Sequence, residues 1–317
     1  MYLEPKKSIL RLFFKIHRRI NDGILYKKQI IIYKHIIDTS LPINMITKND
    51  IKFIQSLKQT KFRKENKMFV VEGNKLVSEL LVSDFKVENI LVTEAWLEKF
   101  PEMASSLRSY EIVNDKQMEQ MSSMVTPPGI IATAHTPSYS ITPEDAGNEF
   151  ILALDGINDP GNLGTMIRTA DWFGINKIVC SQDCADAWQA KTIQSTMGSI
   201  FRIQVIETDL REFLIKTQRH KDTKTQSLTD TNSATLRLCN FTTPIYGALM
   251  EGENIFTKKI EKRNGIIIIG SESHGIRKDV LPLVTSPIHI PRGKGSQTES
   301  LNASVAAAII ISTIYNS

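Results

Sequence analysis

The chain has 317 residues, 41% of them hydrophobic and 23% charged, which is enough apolar content for two ordinary domains with cores of their own. No run comes near the roughly 18 apolar residues that span a bilayer, the start lacks the apolar core and cleavage site of a secretory signal, and three cysteines (Cys180, Cys184 and Cys239) are too few for a disulfide framework; a cytoplasmic protein bound neither to membrane nor to metal is expected. The net charge of +5 comes from residues 1–44, which carry nine Lys/Arg against three Asp/Glu, so the main body is nearly neutral and the overall charge is no sign of a nucleic-acid partner.

Residues 1–44 mix basic and apolar residues without a cap or a sustained period. Three readings stay open for them: a loose extension, a basic helix lying on a membrane surface, or a stretch ahead of the true start at Met45. From Thr47 a helix is predicted, with Thr47 or Asn49 as its N-cap and Ile51, Ile54 and Leu57 on one face. Lys61-Phe62-Arg63-Lys64 reads as a short polar turn, Met68 to Glu72 as an apolar strand stopped by Gly73, Asn74 to Leu81 as a helix, and Asn89 to Val92 as a second strand. Residues 45–75 hold eight Lys/Arg against three acids, a local basic patch. These elements predict a small α/β domain over 45–135, followed by a polar, proline-bearing linker at 136–149.

Phe150 to Leu154 opens a second domain, 150–317, as a buried-type strand. The turn formers of 155–162 follow it, and Leu163 to Phe173 has helical spacing stopped by Gly174. Further strands are predicted at 177–180, 203–206, 245–249, 265–270 and 287–291, helices near 186–199 and 300–315, and a surface loop at 221–235. Alternating strands and helices imply a mostly parallel sheet covered on both faces.

Three glycine- and asparagine-bearing loops each follow a predicted strand: 155–168, 270–275 and 290–302. In open parallel sheets ligands bind beyond the carboxyl ends of the strands, so these loops should converge on one site. No G-x-G-x-x-G follows a strand, and Gly293-Lys294-Gly295-Ser296 lacks the upstream glycine of a P-loop, which argues against an oxidoreductase and an NTPase.

The three segments resemble the motifs of the SpoU, or TrmH-like, family of RNA ribose methyltransferases in the SPOUT class. The resemblance runs through Asp159-Pro160-Gly161-Asn162-Leu163-Gly164 to Arg168-Thr169-Ala170, through Ile269-Gly270-Ser271-Glu272-Ser273-His274-Gly275-Ile276, and through Ile290-Pro291 with Glu299-Ser300-Leu301-Asn302-Ala303. The front domain resembles the substrate-binding domain joined to that family, through Lys61-Phe62-Arg63 and Phe69-Val70-Val71-Glu72-Gly73. The resemblance implies a C-terminal deep trefoil knot, a homodimer, and S-adenosylmethionine as cofactor. It also implies methyl transfer to a ribose 2′-hydroxyl of structured RNA, with rRNA preferred over tRNA and with a catalytically silent RNA-binding assembly factor as the competing reading.

By the same resemblance Gly270, Ile290 and Leu301 hold the adenosyl group, while Asn162, Arg168, Glu272, Ser300 and Asn302 line the reaction centre. Lys58, Lys61, Arg63 and Lys64 are expected to meet RNA. Blander roles exist beside these: Asn162 and Ser300 as helix N-caps, Arg168 as a surface cation, Glu272 as a solvated acid and His274 as an ordinary loop residue. A guanidinium stays protonated near neutral pH, so Arg168 is read as a phosphate ligand and alkoxide stabiliser rather than as a base. The third loop, Pro291 to Glu299, is longer and more basic than the family pattern, which unsettles its register.

Overall fold

The computed structural model describes residues 46–227, 243–260 and 264–316. The expectations for residues 1–44, for most of the 221–235 loop and for Cys239 lie outside them.

The front half starts with α1 (Lys48–Ser56), where Thr47 and Asp50 form a reciprocal capping box and Ile51 and Ile54 turn inward. Residues 61–64, expected as a turn, lie instead within α2 (Thr60–Asn66), which ends on Lys67 in a left-handed conformation. The polar composition that suggested a turn reflects an amphipathic helix with a mostly wet face. Next come β1 (Met68–Glu72), α3 (Asn74–Leu81), β2 (Val87–Val92), α4 (Glu94–Lys99), α5 (Pro101–Ser106), β3 (Glu111–Ile112), α6 (Asp115–Met121) and β4 (Ile130–His135). The sheet order is β1-β4-β2-β3. It is buried on both sides: Met68 and Val70 pack with α1 and α6, while Phe69 and Val71 point the other way, as the period of two requires.

The second half contains α7 (Asp145–Asn148), β5 (Phe150–Asp155), α8 (Pro160–Trp172), β6 (Lys177–Cys180), α9 (Ala190–Thr196), β7 (Gln204–Glu207), α10 (Leu210–Ser227), β8 (Ile245–Asn254), β9 (Gly265–Gly270), β10 (Ser286–His289) and α11 (Ala303–Tyr315). Residues 221–227, expected in a surface loop, are therefore helical. All strand pairs are parallel and the order is β10-β8-β9-β5-β6-β7. Helices α8, α9 and α11 cover one face and α7 and α10 the other. Gly164 lets α8 and α9 meet, because a Cβ there would fall 2.4 Å from the Ser195 Cβ. No helix among the described residues is long and apolar enough to cross a membrane.

The halves do not hang on the linker alone. Phe69 and Phe85 of the front half stack with Trp188 and Phe201 of the second, in a hydrophobic core continuous across the junction. Arg63 is 5% exposed. Its guanidinium reaches Asp186 at 2.7 and 3.0 Å, the Leu57 carbonyl and the Thr60 hydroxyl. Arg202 joins Asp171 to Glu79 across the same junction. We predict that Arg63→Met lowers unfolding free energy by about 3–5 kcal/mol by stranding the half-buried Asp186 carboxylate; denaturant titration gives the value, and a loss near zero would contradict the assignment.

Candidate active site

The carboxyl ends of β5 and β9 are neighbours, with Asp155 opposite Gly270. The chain runs from β5 outward to β6 and β7 on one side and returns to β8 and β9 on the other. The switch point between β5 and β9 is therefore where the fold opens a crevice. Three segments meet there.

After β5, Asp159 caps α8: its side chain accepts the Asn162 N–H at 2.8 Å. That bond and the ammonium of Lys191, 3.5 Å away, hold the Asp159 carboxyl below the usual carboxylate range. Asn162 is thus inside the first turn and is not the cap, leaving its amide free to point outward. After β9, Ser271 and Gly275 bridge to each other and place Glu272 beside it. The third segment ends at Asn302, which caps α11 by accepting from the Ser304 and Val305 N–H groups at 3.0 and 3.3 Å. Ser300, weighed as that cap, lies two residues ahead of it and is exposed.

One oxygen gathers the three segments. Glu272 Oε1 accepts from Asn162 Nδ2 at 2.8 Å, from Asn302 Nδ2 at 2.6 Å and from the Ala303 N–H at 3.1 Å. Asn302 Nδ2 also donates to Asn162 Oδ1 at 3.0 Å. Glu272 Oε2 has no hydrogen-bond partner among the described residues. The cluster is a fixed constellation on an exposed glutamate with one carboxylate oxygen unpaired, suited to orienting a polar substrate or a cation.

Arg168 does not join it. Six residues along α8 from Asn162 amount to about 240° of turn and about 9 Å of rise. Arg168 is exposed and has no ion pair or hydrogen bond among the described residues. It shares its face with Trp172, one turn on, which is 84% exposed. Gly270 sits at the end of β9, Ile290 follows β10 and packs on the main core, and Leu301 is half exposed. The third loop closes on itself where Arg292 donates to the Glu299 carbonyl.

Of the four residues expected at RNA, Arg63 is corrected: it is an internal bridge whose donors are used within the protein. Lys64 pairs with Glu207 at 2.8 Å and Lys61 lies 4.0 Å from Glu65. Lys58 donates to the Gln120 and Ser122 carbonyls. His274 is exposed, with Nδ1 2.7 Å from the Ser273 hydroxyl.

Two features escaped the sequence. Asp155, fully buried, accepts the Arg277 N–H at 2.8 Å and lies 2.7 Å from its Nε, out of line for a hydrogen bond; burial pushes the carboxyl above its usual range, and Arg277 opposes that. Beneath the first loop, Cys184 Sγ accepts the Ile157 N–H at 3.3 Å. The neighbouring Cys180 thiol, with the Ile157 N–H, brings the Cys184 thiol down to about 7, while Cys184 and burial push Cys180 up. Asp–Gly after a strand reads as a turn, which hid the role of Asp155. Among the described residues no group of three His, Cys, Asp or Glu side chains is placed to hold a metal.

The profile of the SpoU rRNA Methylase family matches residues 149–312, and that of the MRM3-like substrate binding domain matches residues 48–132. The chain belongs to the SpoU rRNA methylase family. Among its relatives, the 23S rRNA (guanosine(2553)-2′-O)-methyltransferase RlmP of Bacillus subtilis is 28% identical over 82% of this chain and 94% of its own length. The mitochondrial rRNA methyltransferase 3 of Xenopus laevis is 31% identical over 49% of this chain and 38% of its own. A solved structure from Porphyromonas gingivalis, assigned to the TrmH family of RNA methyltransferases, superposes with a TM-score of 0.68 at 28% identity, covering 85% of this chain and 98% of its own. The SpoU methyltransferase AviRb of Streptomyces viridochromogenes, solved with AdoMet, shares the fold at a TM-score of 0.69 and 18% identity, over 84% of this chain and 96% of its own.

In this SpoU member Gly270 is held by close approach. A Cβ there would lie 2.1 Å from the Gly275 carbonyl carbon and 2.3 Å from the Ile276 nitrogen. Gly270→Ala must open the 271–275 bridge and is expected to cost about 1–3 kcal/mol. An unchanged denaturation midpoint would show that the loop yields freely.

Proposed function

We propose that this chain transfers the methyl group of S-adenosylmethionine to a ribose 2′-hydroxyl of rRNA, acting in the cytoplasm as a homodimer. The observation that carries the reading is the convergence of Asn162, Glu272 and Asn302 on one carboxylate oxygen at the switch point of the sheet. Membership of the family supports methyl transfer, and the RlmP relative favours rRNA and the 2′-oxygen.

Three loops meet the needs of an adenosyl donor. Gly270, Ile290 and Leu301 would hold the adenosyl part through main-chain groups, since residues 291–302 form no helix or strand that would use up their N–H and C=O groups in a ladder. The unpaired oxygen of Glu272 suits a positive sulfonium. When bound, S-adenosylmethionine supplies a methyl group that is already activated, so the protein's chief task is alignment, worth roughly 7–11 kcal/mol when complete. Asn162, Ser300 and Asn302 would orient the ribose.

Arg168 supports the dimer. Its helix turns it away from the cluster of its own chain, while Trp172 beside it and Val305 on α11 are exposed apolar side chains on the same side of the fold. A second copy seated there would cover Trp172 and bring an arginine to the phosphate next to the reacting sugar, where bidentate contact stabilises the developing alkoxide. The route of residues 290–302, from the outermost strand β10 back to α11 on α8 and β9, supports a C-terminal trefoil knot. The division into a substrate-binding domain over 45–135, a linker at 136–149 and a catalytic domain from 150 accords with the two sheets.

Calorimetry is expected to show S-adenosylmethionine binding, and no heat at millimolar cofactor would remove the enzyme reading. Arg168→Ala should keep cofactor affinity while lowering turnover on rRNA by about two orders of magnitude; equal turnover would take Arg168 out of the reaction.

A further inference from the structure

With Arg63 used inside the protein, contact with RNA on the front half falls to other side chains. The loop from Ser122 to Gly129, between α6 and β4, is built for contact. Residues 123–126 are exposed; the Val125 side chain is bare and Met124 is 41% exposed. The base of the loop is nevertheless fixed. Glu72, 3% exposed at the end of β1, accepts the Ser122 hydroxyl at 2.5 Å and the Ser123 N–H at 2.9 Å. The Ser122 hydroxyl oxygen in turn accepts the Met124 N–H at 3.0 Å, and Lys58 clamps the Ser122 carbonyl at 2.6 Å. Burying a carboxylate is costly unless its hydrogen bonds are met, and here they are met by a loop that lifts aliphatic side chains into water. An ordered loop presenting apolar groups to solvent is the form of a recognition element.

Its position connects it to the reaction centre. Gln194 Nε2 donates to the Glu72 carbonyl at 3.0 Å and lies 3.8 Å from Met124 Sδ. One turn earlier on the same helix, Lys191 reaches Asp159, the cap that fixes Asn162. Loop tip, α9 and reaction centre thus lie along one rim. The cations on that rim are Lys58, with no carboxylate partner among the described residues, and the well-exposed Lys191. An apolar tip flanked by ammonium groups fits a splayed nucleotide, whose base has an apolar face and whose phosphates are anionic.

We propose that the Met124–Val125 tip receives the face of an unpaired base in the substrate RNA, with Lys58 and Lys191 at flanking phosphates, and so sets which ribose falls at Asn162. This rests on the rRNA methyltransferase reading.

Val125→Asp tests it, because a fully exposed side chain can change without disturbing the core. On deproteinised rRNA from cells lacking the gene, the variant is expected to raise KM tenfold or more, with kcat within about twofold. Filter binding of the same rRNA should weaken by a similar factor. Melting temperature and S-adenosylmethionine affinity should match the wild type, and Val125→Leu should behave as wild type throughout. Wild-type KM and rRNA affinity in Val125→Asp would overturn the proposal. Normal kinetics on deproteinised rRNA but poor methylation of ribosomal particles would also overturn it, assigning the tip to a ribosomal protein. If the wild type binds rRNA without methylating it, the enzyme reading fails while the affinity comparison still decides the tip.

Discussion

A single carboxylate oxygen organises the crevice at the switch point of the second sheet. Glu272 Oε1 takes three N–H donors from two segments that lie 110 residues before it and 30 residues after it. Each partner is constrained in turn: Asn162 by the Asp159 cap of α8, and Asn302 by its own capping of α11. The N-terminus of α11 thus gives a main-chain N–H to this acceptor, and its dipole favours the negative charge there. Closing loops of this length costs entropy that grows only slowly with length, so a few charge-assisted hydrogen bonds suffice to hold the three segments once the sheet has aligned them.

The sheet does align them, through order rather than through local contacts. Placing β9 between β5 and β8 sets the Glu272 loop next to the Asn162 loop, and α11 then lies against both α8 and β9. The junction with the front half adds a second constraint. Aromatic stacking and the buried Arg63–Asp186 pair fix how that half sits on α9, and α9 in turn touches α8. A ligand held by the front half would lie at a defined distance from the Glu272 cluster, not at the end of a free tether.

Much of this was legible in the sequence, for definable reasons. Apolar runs marked the strands of the second sheet, since four successive isoleucines, Ile266 to Ile269, cannot all be buried unless both faces of their strand are covered. The meeting of Asn162, Glu272 and Asn302 followed from three motifs at strand ends. What escaped were properties of the third dimension. Arg63 in a basic cluster looks like its neighbours until its partner Asp186, 123 residues away, is seen. Arg168 belongs to the same motif as Asn162, yet helical phase sends it elsewhere. Asp159 and Asn162 both suit an N-cap, and only the geometry separates them.

Asp155 shows why some buried charge is kept. Its carboxyl is raised by burial, so its contribution to stability is full below the unfolded-state pKa and is lost as pH rises through the folded one. The ionised form of the group is thus a stability liability, partly offset by Arg277. What the ionised form retains is a hold on the Arg277 N–H and guanidinium, which pins the far end of the loop that carries Glu272 to the end of β5. A neutral apolar residue at 155 would pack at lower cost but would leave the far end of that loop without its tie to the end of β5. Stability surrendered at Asp155 is exchanged for a fixed Glu272, and with it for the geometry of the cluster that Glu272 forms with Asn162 and Asn302.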